Sequence, residues 1–209
     1  MKQDNEQHAL RLESEGTLMY PRERVPMTVR DWNRLKTLAR KAQYDYVVGG
    51  DADEQHSVRV ARFVNDVERP EDLSELTDDV RNIVMSDDML DFYHQFTGTT
   101  ELCLRRCQAN LLRPGDYIGV HKDQDSNPDY IATVVFHFDS VYEGGDFVTH
   151  GEDGRSQIHP EPWTLLVNNC EIPHEVTRIT SGERLTLACF LSREFGASPI
   201  AREAIRLSY

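Results

Sequence analysis

The chain is short of cysteine, of positive charge and of long apolar runs, and each shortage removes a class of protein. Four cysteines, Cys103, Cys107, Cys170 and Cys189, are spread over 209 residues with no Cys-x-x-Cys pair. That excludes a disulfide scaffold and predicts buried or idle thiols in a reducing compartment. Lysine and arginine number 23 against 36 aspartates and glutamates, a formal net charge of −13. Phosphate binding needs the opposite surplus, so neither a nucleic acid nor an anionic membrane is an expected partner. No apolar run approaches the ~20 residues of a membrane span. The opening MKQDNEQHALRLESEG is too polar for a secretory signal, and a cytoplasmic protein is expected.

What is present is ordinary globular material. Hydrophobic residues make up 39% and charged residues 28%, enough to bury a core and too apolar for disorder. The length suits one domain, 1–209. Helical periodicity fills much of the first half, taken as a mainly helical support over 1–98. Trp32, Leu35, Leu38, Ala39 and Ala42 share a stripe after a capping signal, Thr28-x-x-Asp31. A second helix is predicted over Asp72 to Met85. A third begins after Ser86, buries Met89, Leu90, Tyr93 and Phe96, and stops near Gly98. The segment GGDADEQH, 49–56, has the composition of an exposed loop.

Beyond Gly98 the period changes. Short apolar or alternating runs, at Leu102–Leu112, Tyr117–Val120, Ile131–Phe138, Asp146–Thr149, Thr164–Val167, Glu175–Ile179 and Leu185–Leu191, are separated by turn-forming clusters such as SNPD, YEGGD and TSGE. Strands at that spacing predict a sandwich or barrel of jelly-roll type over 99–192, followed by a tail over 193–209.

Two His-x-Asp triplets lie in this half, at 121–123 and 137–139. Chance supplies about one in a chain of this composition, so context must separate them. His121 and Asp123 sit at a strand end on one face, where imidazole and carboxylate can meet one ion. His137 lies inside an apolar strand. Downstream come His174, in IPHEV, and Arg184, in GERLT. Two histidines and one carboxylate form the facial set of non-haem Fe(II) oxygenases. An arginine on a nearby strand suits a buried carboxylate, because its planar fork meets both oxygens.

From Cys103 to Ser192 the sequence resembles the Fe(II)/2-oxoglutarate-dependent dioxygenase superfamily, in its prolyl 4-hydroxylase-like branch. The resemblance rests on Gly-Asp-Tyr-Ile-x-x-His-x-Asp at 115–123, the strand Ile131–Phe138, Glu143-Gly-Gly-Asp-Phe147, Trp163–Asn168, His174 and Arg184-x-Thr186. It implies an α+β fold, a double-stranded β-helix of jelly-roll or cupin-like type buttressed by N-terminal helices. It implies that His121, Asp123 and His174 bind Fe(II), and that Arg184, helped by Thr186, pairs with the distal carboxylate of 2-oxoglutarate. Where the branch places a tyrosine for that carboxylate, this chain has His137. A second such tyrosine is replaced by Leu112, with Asn110 the candidate substitute. O2 is the co-reactant, ascorbate a candidate reductant, and Asp123 favours hydroxylation over halogenation.

The implied reaction is hydroxylation of an unactivated C–H bond with release of succinate and CO2. The expected substrate is a free amino acid or similar small metabolite, cationic if Asp125 and Asp129 face it. One alternative is a peptidyl hydroxylase, with an open groove near 49–56 or 124–130. The other is a cupin-like metal-binding or sensor protein without turnover.

Overall fold

The computed structural model describes residues 12–193 apart from 14, 51–53, 67–69, 100, 140 and 152–153. Most of the expected tail over 193–209, and the centre of the expected loop over 49–56, therefore lie outside the described residues. A twelve-stranded antiparallel system forms the body. Its strands are β1 (Thr17–Pro21), β2 (Asp45–Val47), β3 (His56–Asp66), β4 (Pro70–Asp72), β5 (Cys103–Leu112), β6 (Tyr117–His121), β7 (Tyr130–His137), β9 (Phe147–Gly151), β10 (Gly154–Ile158), β11 (Thr164–Asn169), β12 (His174–Val176) and β14 (Arg184–Ser192). The order is β1-β11-β7-β14-β5-β3-β6-β12-β9-β10, with β2 and β4 on β3. Strands β8 (Tyr142–Gly144) and β13 (Ile179–Gly182) make a separate pair. The sheet curls into the double-stranded β-helix, with β3 shared between its halves: Arg59–Val64 pairs with β5, while His56 and Ser57 pair with β6.

Helices cover the outer face of the larger half. Helix α1 (Val29–Lys41) starts where the sequence signals it, with the Asp31 amide donating to Thr28 Oγ1 at 3.0 Å. It buries Trp32, Leu35, Leu38 and Ala39, and Trp32 meets Phe136 of β7 edge-on at 5.3 Å. Helix α2 (Thr77–Val84) begins five residues later than the apolar spacing predicts. Pro70–Asp72 is taken up as β4 against the end of β3 instead. Helix α3 (Asp87–Thr97) ends at Gly98, whose φ of 65° is the left-handed C-terminal stop. Ser86 precedes it but makes no side-chain cap.

The N-terminal half is therefore not mainly helical. The eleven-residue β3 is a structural strand of the barrel, and the sequence pattern had left 57–71 unassigned. The cause is visible in its register. A bulge between Arg62 and Val64 breaks the pairing with β5, so the alternation that marks a half-buried strand slips midway.

Strict alternation elsewhere divides the molecule into two interiors. On β5, Cys107, Ala109 and Leu111 enter the core beneath the helices, as do Val134 and Phe136 of β7 and Leu185, Leu187, Cys189 and Leu191 of β14. Cys107 and Cys189 face each other there as free thiols, 3.7 Å apart. The intervening residues point the other way, into the mouth of the barrel.

Candidate active site

Those intervening residues line a cavity with about 970 Å³ of empty space, its open mouth included. Its far wall is built from cross-strand rows. Thr186 of β14 stands directly between Asn110 of β5 and His137 of β7. The next row sets Ala188 between Gln108 and Val135, and the one after sets Phe190 between Arg106 and Thr133. Arg184 opens the series beside Leu112. All of these except Leu112 line the cavity.

Opposite them, β6 and β12 pair so that His174 and His121 are direct partners. Asp123 follows at the start of a single turn of helix, α4 (Asp123–Ser126). His121 Nε2 lies 3.5 Å from Asp123 Oδ1, and His174 Nε2 lies 3.7 Å from the same oxygen. One ligand atom from each of the three falls within 4.8 Å of the others, a group that could hold a metal ion.

The surroundings fix how each group is presented. His121 Nδ1 is 2.8 Å from the Gly119 carbonyl and His174 Nδ1 is 2.9 Å from the Ile172 carbonyl. A carbonyl can only accept, so each Nδ1 carries the proton and each Nε2 offers its lone pair to the centre. Thr133 Oγ1 donates to Asp123 Oδ2 at 2.5 Å, which leaves Oδ1 for the same centre. Burial raises the Asp123 carboxyl, but His174, His121 and the Thr133 hydroxyl outweigh it and hold the group at about 2. Burial also lowers His174, so its imidazole is neutral and competent as a ligand.

The Arg184 end has a different chemistry. Arg184 Nε, Thr186 Oγ1 and His137 Nε2 are buried with no hydrogen-bond partner. Buried polar atoms are almost always satisfied, so three unsatisfied ones on a single cavity mark where a ligand's acceptors belong. Burial, then the neighbouring Arg184 charge, pushes His137 well below its ordinary range. It stays neutral and still has one N–H to give. Gly145, with φ of 66°, clears the space beside this arginine. A Cβ there would lie 3.2 Å from Arg184 Cδ and 2.4 Å from Ile179 Cδ1. Asn110 belongs to the same row, but its Oδ1 already accepts from Gln108 Nε2 at 3.0 Å.

The structure thus gathers all seven sequence candidates, His121, Asp123, His174, Arg184, Thr186, His137 and Asn110, around one cavity. Asp125 and Asp129 do not line it. Asp125 accepts from the Lys122 amide and turns the chain into α4, so the sequence argument for a cationic substrate has no geometric support. His159 and Asp146 pair on the surface at 2.6 Å, and Trp163 stacks on Trp32 at 6.3 Å, away from the site.

Pattern reading missed several lining residues: Glu54, His56, Arg62, Arg106 and Gln108. His56 sits edge-on to His121 at 5.3 Å, with its Nε2 3.2 Å from Glu54 Oε1. The only available signal for Arg106 and Gln108 was the polar half of the β5 alternation, CLRRCQANLL. Nothing comparable marked β3.

Comparison with known proteins agrees with this geometry. The family model of the 2OG-Fe(II) oxygenase superfamily matches residues 107–192. No curated protein sequence matches significantly. Among solved structures, a Burkholderia pseudomallei oxidoreductase of the 2OG-Fe(II) oxygenase family is 31% identical, covering 92% of both chains with a TM-score of 0.83. A Pseudomonas putida prolyl-4-hydroxylase is 17% identical, covering 91% of this chain and 99% of its own, at a TM-score of 0.64. A Trichoplax adhaerens prolyl hydroxylase, solved with a hypoxia-inducible-factor degradation-domain peptide, is 12% identical, covering 100% and 94%, at a TM-score of 0.67. Such likeness carries the fold, and the Burkholderia relative carries the family. A cupin-like protein without turnover is thereby set aside: the chain belongs to the 2OG-Fe(II) oxygenase superfamily and is an enzyme that uses Fe(II), 2-oxoglutarate and O2.

Proposed function

We propose that His121, Asp123 and His174 hold the Fe(II), that Arg184, Thr186 and His137 receive the distal carboxylate of 2-oxoglutarate, and that the enzyme hydroxylates a free amino acid or similar small metabolite. The observation that carries this is the convergence of three unsatisfied buried donors on the cavity that also holds the His-Asp-His group. When bound, iron with 2-oxoglutarate and O2 supplies the oxidising power to hydroxylate an unactivated C–H bond, releasing succinate and CO2.

The protein's own share is positioning. The Gly119 and Ile172 carbonyls hold the two imidazoles in the ligating tautomer. Thr133 fixes the carboxylate plane of Asp123. Arg184 and the Thr186 hydroxyl set the depth at which a dicarboxylate seats. Val58, Val60, Phe147, Leu166 and Val176 keep water from the space between the two ends. Asn110, bonded to Gln108, acts as an orienting neighbour of Thr186.

A peptidyl substrate is the second reading, favoured by the peptide-bound Trichoplax neighbour. Succinate release measured over free amino acids and short peptides separates the two, and turnover of peptides alone would sink the first. The site assignment has its own test. Anaerobic Fe(II) and 2-oxoglutarate should together give a visible charge-transfer band. Arg184→Ala should weaken 2-oxoglutarate about 100-fold, as expected for losing a charge-assisted pair, with metal affinity unchanged. No band in the wild type overturns the assignment.

A further inference from the structure

The lining of the cavity reverses the charge of the chain. Against a net charge of −13, the charged side chains at the cavity other than histidine are Arg62, Arg106, Arg184, Glu54 and Asp123. Asp123 belongs to the metal group and Arg184 to the 2-oxoglutarate end. Glu54 is engaged by His56 at 3.2 Å, and the Arg106 guanidinium lies 5.6 Å from the centre of the Phe190 ring. Arg62 is different. It is half-buried on the cavity side of β3, with Gln108 directly opposite it on β5. Among the described residues its side chain makes no hydrogen bond or ion pair. Arg59, three residues earlier on β3, is bonded to Asp116 at 2.6 Å.

A guanidinium that loses its water to a ligand filling the cavity needs an anion in exchange. Surface arginines of this chain find carboxylates readily, as Arg34 does with Asp79 and Arg40 with Glu183. An unpaired one held inside the reaction cavity is therefore placed for an anion from outside the chain. Its position rules out the cosubstrate's distal carboxylate as that anion. Arg184 flanks Leu112 on β5, whereas Arg62 flanks Gln108, two rows further along the same face.

We propose that Arg62 is the specificity-determining anchor of the substrate, and that the substrate carries a carboxylate which its guanidinium binds, with the Gln108 amide beside it. This rests on the site assignment above and narrows its substrate class. A small carboxylic acid, such as a free amino acid, fits. The same residue within a peptide chain has lost its α-carboxylate, and the group recognised is an anionic one rather than the cationic one expected from Asp125 and Asp129.

The experiment compares matched pairs. Full-length protein holding Fe(II) and 2-oxoglutarate is titrated anaerobically with free amino acids and small hydroxy acids, and with the carboxamide of each. Perturbation of the charge-transfer band is followed, and then succinate release from the same panel in air. Acids should perturb the band and turn over, while their amides do neither. Arg62→Gln should raise KM for the best acid about 10- to 100-fold, as for a lost charge-assisted contact. Its 2-oxoglutarate affinity should be unchanged, which also shows that the variant is folded. Arg62→Lys should recover part of the loss. Amides equal to acids, no response to any acid despite a normal band, or KM in Arg62→Gln within twofold of wild type would each overturn the anchor and leave the oxygenase site standing. Absence of the band in wild type would overturn both.

Discussion

The two faces of the strands β5, β7 and β14 follow opposite rules although their residues alternate along the same backbone. The outer face is apolar and sealed by helices: Phe136, Leu187 and Cys189 are wholly buried, and Trp32 of α1 meets Phe136 edge-on. The inner face is polar and incomplete, with Thr186 and His137 as deeply buried as their outer neighbours yet lacking partners. Burial alone therefore does not separate scaffold from site here. What separates them is polarity: the strand side chains of the outer face are apolar, whereas the inner face gathers Arg184 Nε, Thr186 Oγ1 and His137 Nε2 without partners around one cavity.

The sharpest way to break that comparison is to remove a proposed metal ligand from the wall opposite the inner face. Asp123→Ala should cut succinate formation by at least about 1,000-fold, as loss of a catalytic group does, with bound iron measured in parallel. The unfolding midpoint of the metal-free protein should also fall at neutral pH, because the folded state holds this carboxyl at about 2 and so favours its ionised form. Retained turnover would move the metal elsewhere.

The opposite break is made on the outer face. Trp32→Ala should cost about 3–5 kcal/mol of stability, read from urea denaturation. The remaining folded fraction should keep its 2-oxoglutarate affinity. A large loss of affinity at unchanged stability would show that the two faces are not independent.

The smallest expected effect concerns protons. His137 is held neutral in the fold by burial and by Arg184, with its pKa well below the ordinary 6.5. Once pH falls below about 6.5, the unfolded chain protonates this residue and the folded one does not, so stability drops as pH falls. His137→Gln should flatten the pH dependence of the metal-free protein's denaturation midpoint between about pH 7 and 5. An unchanged slope would mean that His137 titrates freely in the fold.

The same contrast explains what was legible beforehand. Helix α1 could be read because Trp32, Leu35, Leu38 and Ala39 repeat at helical spacing behind a real cap. That His121, Asp123, His174 and Arg184 belong together could be read because His-x-Asp, His and Arg are chemically distinctive. Strand β3 could not, since its bulge after Arg62 disrupts the period. Arg62 and Glu54 could not either. Arginine and glutamate are ordinary surface residues, and only the curl of the sheet puts them beside residues from β5, β6 and β12. The late start of α2 has a similar origin, because pairing of β4 with β3 claims 70–72, which local spacing assigns to solvent or helix.

The placement of β14 has a consequence for how the enzyme comes into being. It is the last described strand in the chain, yet it lies between β5 and β7. While a ribosome is still delivering it, those two strands have bare edges facing each other, open to mispairing. The three side chains proposed to hold the metal will already have been synthesised, without the wall that faces them. Assembly of the cavity wall thus waits for the strand that joins β5 to β7.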